Sequence, residues 1–201
     1  MPISHASVIT LLLVLSVLTA GPVPRAQAVD AWRITTGSIT VVCPLTIGGR
    51  FEATSTAIDG TVRVDSDGSS ALTGSLSVDL STLDTGIELR NTHLRERYLE
   101  VGRGEGYDRA VLTEIALDGG PAATFSGRTR FRGVLTVHGV SRPVTGDARL
   151  ESTPSGTRVE ASFPVHLPAF EIAKPRYLGV GVKDDVEVRV SFEAARSVLQ
   201  G

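Results

Sequence analysis

Apolar and polar residues alternate along most of the chain from residue 30 onward, which is typical of strands with one buried face. The clearest run covers residues 185–194, where every second residue is apolar and the others are charged or hydroxyl-bearing. The alternation predicts these inward-facing stripes: Ile39, Val41, Cys43 and Leu45; Val62 and Val64; Leu72, Leu76, Val78 and Leu80; Phe131, Leu135 and Val137; Val144, Ala148 and Leu150; Val159, Ala161, Phe163, Val165 and Leu167; Val186, Val188, Val190 and Phe192. Residues 110–117 are predicted as a further strand, but their pattern does not decide which side chains face inward.

Turn sequences separate these stripes. Residues 65–68 (Asp-Ser-Asp-Gly) punctuate one hairpin, and glycine-containing turns at 119–121, 138–141 and 153–156 punctuate others. We count about eight strands, each with one apolar and one polar face, which is the signature of an antiparallel sheet. A closed barrel and a two-sheet sandwich both fit this pattern.

One segment, residues 87–101, departs from the period of two. Its apolar residues recur at helical spacing, at Ile87, Leu94, Tyr98 and Val101. This spacing predicts a single amphipathic helix of about three to four turns, inserted midway and able to lie across one end of a barrel. Asp84 or Thr85 is placed to cap its start, and Gly102 and Gly104 are placed to end it.

The first residues have the composition of a targeting segment. Residues 1–24 contain no Asp, Glu, Lys or Arg, and residues 8–20 form an apolar run of signal-peptide length. Prolines and a glycine follow, and Ala26-Gln27-Ala28 is an A-x-A cleavage pattern. We therefore predict a signal peptide over residues 1–28 and a single mature domain over residues 29–201, periplasmic or secreted. The alternative is an uncleaved membrane anchor, for which the apolar run is short.

Composition and charge narrow the function classes. Lys plus Arg is 20 and Asp plus Glu is 22, which gives a net charge of −2 and argues against a general nucleic-acid binder. Hydrophobic residues make up 41% and charged residues 21%, as in a folded globular domain. The chain has one cysteine, so it forms no internal disulfide.

No constellation of catalytic or metal-binding residues stands out in the sequence. The histidines after residue 28 are His93, His138 and His166, with no H-x-x-x-H pair and no Cys/His cluster, so we expect no metal site, no cofactor and no enzyme activity. There is no G-x-S-x-G nucleophile elbow. Cys43 falls on an inward stripe, where a thiol behaves as an inert small hydrophobe. An enzyme with a dispersed catalytic site is a third hypothesis.

The two faces of the predicted strands raise separate questions. Arg128, Arg130 and Arg132 share one face, which fits either anionic lipid headgroups or a solvated outer surface. The apolar stripes fit either a core filled by its own side chains or a lumen that holds one small ligand. Aromatic residues are only 5% of the chain, and few large rings are available to plug a lumen, which favours a cavity.

Several segments resemble the YceI-like family of exported bacterial proteins. The most specific is residues 133–144 (Gly-Val-Leu-Thr-Val-His-Gly-Val-Ser-Arg-Pro-Val), which is similar to the family's G-x-L-T-x-H-G-V-T-[KR]-x-V stretch. Residues 81–86 (Ser-Thr-Leu-Asp-Thr-Gly) resemble its S-I-x-T-G element, and residues 90–94 (Arg-Asn-Thr-His-Leu) resemble its R-D-x-H-L helix start. The resemblance covers nearly all of residues 31–194.

The resemblance implies an all-β fold, an extended lipocalin-like antiparallel barrel of eight strands with one helix inserted midway. It implies a lumen that holds a long amphiphile, such as a polyisoprenoid lipid or an isoprenoid quinone, for carriage or sequestration and without catalysis. Two departures from the family pattern lie near the expected ligand mouth. Asn91 stands where the family usually has Asp, and residues 107–112 replace its Y-P-x-x-x-F element.

The inward positions and the resemblance together select candidate lipid-binding residues. On the strands these are Val62, Val64, Leu76, Val78, Leu80, Phe131, Leu135, Phe163 and Val165. At the mouth they are Leu94 and Tyr98 from the helix, and Phe170 and Tyr177 from the late loop. The expected partners are a hydrophobic small molecule, a membrane surface in transient contact and a second copy of the chain, with no nucleic acid. The alternative function is a structural or interaction β-domain with a filled core.

Overall fold

The computed structural model describes residues 30–64, 69–120, 125–174, 176–177 and 180–198. The predicted signal peptide and its cleavage site lie outside these residues. The strands are β1 Asp30–Pro44, β2 Arg50–Ser55, β3 Ile58–Val64, β4 Ala71–Asp79, β5 Arg109–Leu117, β6 Gly127–Val137, β7 Val140–Thr153, β8 Gly156–His166, β9 Arg176–Tyr177, β10 Val180–Gly181 and β11 Asp185–Val198. The helix α1 is Glu88–His93 and continues as a π-helical turn, Leu94–Tyr98, while 3₁₀ turns cover Leu80–Thr82, Val101–Arg103 and Leu167–Phe170.

The long strands form one closed, eight-stranded antiparallel barrel. The hydrogen-bonded order is β11, β8, β7, β6, β5, β4, β3 and β1, and β1 pairs with β11 to close the ring. β2 and β3 follow one another along β1 in one register, with Ser55 opposite Ile39 and Thr61 opposite Arg33, so they serve as one long strand. The predicted barrel is confirmed, and the sandwich alternative is wrong because the sheet closes on itself.

Inward and outward faces follow the predicted alternation along most of the barrel. On β6, Phe131, Leu135 and Val137 are buried, whereas Arg130 and Arg132 are exposed. Neighbouring strands place their apolar stripes at the same level, because antiparallel pairing in register keeps side chains of paired residues on one face. The stripes therefore meet inside the barrel and form its core.

The phase of β5 changes within the strand, which explains why its pattern was undecided. Ala110 and Leu112 face the lumen in the first half of the strand, and Ile115 and Leu117 face it in the second half. The pairing with β6 shifts between Thr113 and Ala116, which is the mark of a β-bulge. Glu114, inside the bulge, has a φ of 51°. An extra residue moves the inward side chains from even to odd positions, so a strict period of two cannot describe the strand.

The inserted helix is confirmed, but its predicted ends are wrong. The N-cap is Ile87, which makes no side-chain capping bond. The helical segment ends at Tyr98, before Gly102 and Gly104, and Glu100 takes a left-handed conformation with a φ of 50°. The chain therefore turns at a non-glycine residue. Within the described ranges, no helix has the length and apolar character needed to cross a bilayer.

The predicted capping residues instead hold the start of the helix from the side. The buried Asn91 amide oxygen accepts hydrogen bonds from the Thr85 backbone N–H at 2.8 Å and from the Thr85 hydroxyl at 2.7 Å. The Asn91 Nδ2 donates to the Asp84 carboxylate at 2.7 Å. The pKa of Asp84 is lowered because its carboxylate accepts from the Gly86 backbone N–H and then from Asn91. These bonds join the helix to the loop that follows β4.

His138 fixes the loops at the same end of the barrel. His138 and Gly139 form the two-residue turn between β6 and β7, with φ values of 55° and 73°, and such left-handed pairs match the twist of a hairpin. The His138 ring is hydrogen-bonded through Nδ1 to the Phe170 carbonyl oxygen and through Nε2 to Glu100, both at 3.1 Å. The imidazole therefore links the hairpin to the segment after α1 and to the segment after β8.

Candidate functional site

The barrel interior holds an apolar cavity beneath the inserted helix, which we call the helix-end cavity. Its volume is about 170 Å³. Its walls come from the strands and from the segments that cross this end of the barrel, including Leu94, Tyr98 and Leu99. Among the described residues that line it, Tyr98 and Ser77 carry hydroxyl groups, and the Ser77 hydroxyl is bonded to Asp59 and Arg109 on the outer face of the barrel. The cavity is therefore suited to hydrocarbon and poorly suited to a ligand that needs many hydrogen bonds.

A second apolar cavity, the hairpin-end cavity, occupies the other half of the barrel and measures about 210 Å³. Its walls come mainly from the strands near the β3–β4, β5–β6 and β7–β8 turns, with Phe125 added from the β5–β6 connection. Ser152 and Thr157 also line it, so this end offers hydroxyl groups beside apolar surface. Both cavities are concave and mainly apolar, as sites for hydrophobic small molecules are.

Four side chains line both cavities and lie where the two meet. They are Leu76 on β4, Leu112 on β5, Phe163 on β8 and Val190 on β11, and we call these four the waist. Phe163 packs edge-to-face against Phe131, with ring centroids 5.7 Å apart and planes at 88°. The lumen is therefore two apolar chambers in line, with the waist between them.

Three glycines on neighbouring strands make room for the waist side chains. A Cβ on Gly60 would lie 2.9 Å from Leu76 Cδ2, and a Cβ on Gly133 would lie 3.0 Å from Leu112 Cδ1. A Cβ on Gly146 would lie 2.7 Å from the Phe131 ring and 2.7 Å from the Phe163 Cβ. The distances at Gly60 and Gly146 are shorter than carbon–carbon contacts allow, and the distance at Gly133 is short enough to displace Leu112 slightly. The absence of side chains at these wall positions therefore leaves room for the waist residues.

The candidate residues predicted from the sequence are distributed over both cavities. Those lining the helix-end cavity alone are Val78, Leu80, Leu94, Tyr98, Leu135 and Val165. Those lining the hairpin-end cavity alone are Val62, Val64 and Phe131. Leu76 and Phe163 line both. Their inward positions agree with the alternation, while their role in lipid binding stays a prediction.

Of the two mouth residues predicted in the late loop, Phe170 lies outside both cavity walls, whereas Tyr177 stays a prediction. Phe170 is only 2% exposed and packs in the core, and it is not among the residues that line either cavity. Its 3₁₀ turn, Leu167–Phe170, places Leu167 in the cavity wall instead. The Tyr177 side chain lies outside the described part of the structure. Phe170 therefore supports the end of the barrel from behind the cavity.

Sequence reasoning missed part of the lining. Leu112 was not predicted because the bulge in β5 interrupts the alternation that marks inward residues. Val190 was on a predicted stripe but was not included among the site residues. Leu83, Leu99 and Ile172 line the helix-end cavity from turns and loops, where no repeating pattern marks an inward residue. A single hydrophobic residue in a turn or loop gives no such signal, so only the fold could reveal these three.

Cys43 belongs to the wall of the helix-end cavity. Burial raises the pKa of its thiol from 9.0 to about 12, with Arg90 acting weakly in the opposite direction. The thiol is therefore protonated at neutral pH and behaves as an apolar group, as its inward position predicted.

The polar groups with shifted pKa values lie outside the lumen. The pKa of Asp59 is lowered by hydrogen bonding from Ser77 and by Arg109, with which it forms an ion pair. His166 is exposed and bonded to Asp185 at 2.8 Å. Across the described ranges, no three His, Cys, Asp or Glu side chains gather as metal ligands. Arg128, Arg130 and Arg132 are exposed on the outer wall.

Comparisons with known proteins agree with this architecture. Residues 32–194 match the family model described as the YceI-like domain. The structure of BcnA from Burkholderia cenocepacia matches with a TM-score of 0.63 and 16% identity, covering 79% of this chain and 96% of that one. A polyisoprenoid binding domain from Saccharophagus degradans, implicated in plant cell wall breakdown, matches with a TM-score of 0.60 and 14% identity, covering 85% and 100%. At such identities the likeness shows a shared fold. No curated protein sequence matches the chain.

Proposed function

The chain belongs to the YceI-like family, and from that premise we propose that it is an exported protein that holds a long-chain amphiphile of isoprenoid type inside its barrel. The observation that carries the proposal is the lumen, where two apolar cavities lie in line through the barrel. The S. degradans domain with the same fold is described as polyisoprenoid-binding, which supports this ligand class.

The energetics of such binding need few specific contacts. Each methylene that moves from water into an apolar wall contributes about 0.8 kcal/mol, so a chain of about ten carbons gains enough from burial alone to bind well. The lining offers hydrocarbon in both cavities, and Ser152 and Thr157 add hydroxyl groups at the hairpin end. We infer carriage or sequestration without catalysis, because the side chains with shifted pKa values pair on the outer surface and Cys43 is held as a neutral thiol.

A structural β-domain with a filled core is the second candidate function. The small volume of each cavity favours it, since sites for drug-sized ligands usually measure about 300–1,000 Å³. The waist favours it too, because its four side chains occupy the middle of the lumen. On this hypothesis the cavities are packing defects of the barrel and no chain enters.

Organic extraction of the purified mature protein, followed by mass spectrometry, tests the ligand. We expect a long-chain isoprenoid-type lipid in amounts comparable to the protein. The extracted protein should then bind a fluorescent long-chain lipid in a saturable titration. If the extract contains no lipid and the titration shows no saturation, the carrier proposal is wrong and the filled-core domain stands.

Export is tested separately from binding. The apolar run at residues 8–20 and the Ala26-Gln27-Ala28 pattern predict a mature chain that begins at Val29. Amino-terminal sequencing of material from the periplasm or medium should give Val29 first. Recovery of the intact chain in the membrane fraction would instead support an uncleaved anchor.

Two further parts of the proposal concern partners. A transient membrane contact has two candidate surfaces, the outer face with Arg128, Arg130 and Arg132, and the helix end, where Ile87 and Leu89 are 50% and 64% exposed. The wild-type protein should sediment with anionic lipid vesicles. Serine substitutions on the surface that contacts the membrane should leave the protein in the supernatant. A homodimer is tested by sedimentation velocity of the mature protein.

A further inference from the structure

The waist lies at the junction of the two cavities, so a ligand with a hydrocarbon chain longer than one cavity must pass it. Leu76, Leu112, Phe163 and Val190 belong to the walls of both cavities, so they mark the boundary between the cavities. They come from two pairs of neighbouring strands, β4 with β5 and β8 with β11, and so lie on two sides of the lumen rather than on one.

The packing behind the waist holds its side chains in place. Gly60 and Gly133 leave space in the wall that Leu76 and Leu112 already use. Phe163 lies beside Gly146 and is held by its edge-to-face contact with Phe131. Each of these side chains is backed by strand backbone that the hydrogen-bond ladder fixes, so the waist cannot widen by moving a loop.

We infer that the waist sets the length of hydrocarbon chain that this protein holds. A chain that fits one chamber gains from every methylene it buries. A longer chain must turn Phe163 and the waist leucines away from their packed positions before its next methylenes are buried. Further length then adds little affinity. This inference rests on the proposed function and names the feature of the ligand that the site selects.

The test is a series of saturated straight-chain fatty acids, from about eight to about twenty-two carbons, displacing a fluorescent fatty acid from the extracted protein. In the wild-type protein we expect each added methylene to raise the affinity about fourfold up to a definite chain length. Beyond that length, which we call the break, each further methylene should raise the affinity less than about twofold. Phe163→Leu, which widens the waist, should move this break to longer chains.

Val165→Ala is the matched control. Val165 lies two residues beyond Phe163 on the same face of β8 and lines the helix-end cavity without belonging to the waist. Its truncation should change the affinity of all chains by a similar factor and leave the break where it is. If Phe163→Leu is too unstable to purify, Leu112→Val, on the other side of the waist, replaces it and is expected to move the break in the same direction.

The outcomes separate the inference from the function on which it rests. A steady rise in affinity through the whole series in the wild-type protein would overturn the length limit while leaving the carrier proposal intact. A break that moves equally in Val165→Ala would also overturn it. Failure of every chain to displace the probe, with no binding of the probe itself, would overturn both the inference and the proposed function.

Discussion

The helix-end and hairpin-end cavities are close in volume, about 170 Å³ and about 210 Å³, but their walls are built differently. Strands supply almost the whole wall at the hairpin end, with one added ring from Phe125. The helix end is covered by side chains from the π-helical turn that follows α1, from the turn after β4 and from the segment between β8 and β11.

This difference has an energetic consequence. Continuous backbone ladders hold the strand walls, whereas the helix end is held by isolated backbone bonds, such as the pair between Thr54 and Asp84, and by the side-chain bonds of Asn91 and His138. Segments held by few bonds open at a lower free energy than the strands of a closed sheet. We therefore expect the helix end to open first and to admit a ligand, while the hairpin end stays as the fixed part of the lumen.

The largest expected effect concerns the boundary between the two ends. Gly146→Val should lower the free energy of unfolding by about 3 kcal/mol, because the added side chain meets Phe131, Phe163 and the backbone of β8. Gly102→Val is the control, since an added Cβ there meets nothing within 4 Å and should change stability by less than about 0.5 kcal/mol. Urea unfolding of both variants measures the difference, and equal stabilities would show that the waist is loosely packed.

A tryptophan introduced into the wall of the helix-end cavity tests whether the cavity has empty volume that accepts a larger side chain. Val78→Trp should cost less than about 1 kcal/mol of stability, because the cavity receives the ring, and should weaken chain binding about 50-fold by displacing about three buried methylenes. Val144→Trp is the control, because Val144 is equally buried but lines neither cavity, and overpacking there should cost about 1–3 kcal/mol.

Thermal melting of the ligand-free variants and a fluorescent-lipid titration decide the matter together. Similar destabilisation of both variants, with unchanged lipid affinity in Val78→Trp, would favour a filled core. An unchanged melting temperature together with lost lipid affinity, seen in Val78→Trp and not in Val144→Trp, supports the cavity.

The attachment of the helix gives a smaller effect that depends on pH. Asn91→Asp should lower the melting temperature by about 2–4 °C at pH 7, because a carboxylate replaces the amide that donates to Asp84. In the wild-type protein the pKa of Asp84 is lowered below 3.8, so its stabilising contribution is present above that pH and is lost as the pH falls. In the variant, acid protonates one of the paired carboxyls, so the deficit should shrink towards pH 4.

The control for that variant exchanges the two groups. Asp84→Asn combined with Asn91→Asp restores one amide opposite one carboxylate and should recover most of the lost melting temperature. A double variant no more stable than Asn91→Asp alone would show that the Asn91 bond to Asp84 does not hold the helix. Scans at several pH values between about 2 and about 7 cover the titration of both carboxyls.

The smallest effect on stability at neutral pH comes from Cys43, which reports on the helix end alone. Because the pKa of its thiol rises from 9.0 to about 12, the folded protein should react with iodoacetamide at pH 8 roughly 1,000-fold more slowly than the unfolded chain. A raised pKa favours the protonated fold, so stability should be full below pH 9 and decline as the pH rises towards 12. Native labelling at the unfolded rate would contradict burial of the thiol.

The hairpin end is the part that the sequence predicts best. Val62, Val64 and Phe131 were assigned inward from alternation, and the structure places all three in the cavity wall. At the helix end the alternation located Val78, Leu80 and Leu135, but it could not find Leu83 or Ile172. A period of two marks the inward face only where the chain is a regular strand, so residues of turns and bulges carry no comparable mark.

The sequence by itself determined the alternating strands, the turns between them, the midway helix and an inert inward Cys43, because each of these depends on residues close together in the chain. Tertiary structure alone decided that the sheet closes, that Phe170 supports the core, and that the waist forms from four strands between Leu76 and Val190. Closure depends on backbone pairing between β1 and β11, which lie more than one hundred residues apart in the chain. The waist depends on that closure, because it brings residues as distant in sequence as Leu76 and Val190 into the wall of one lumen.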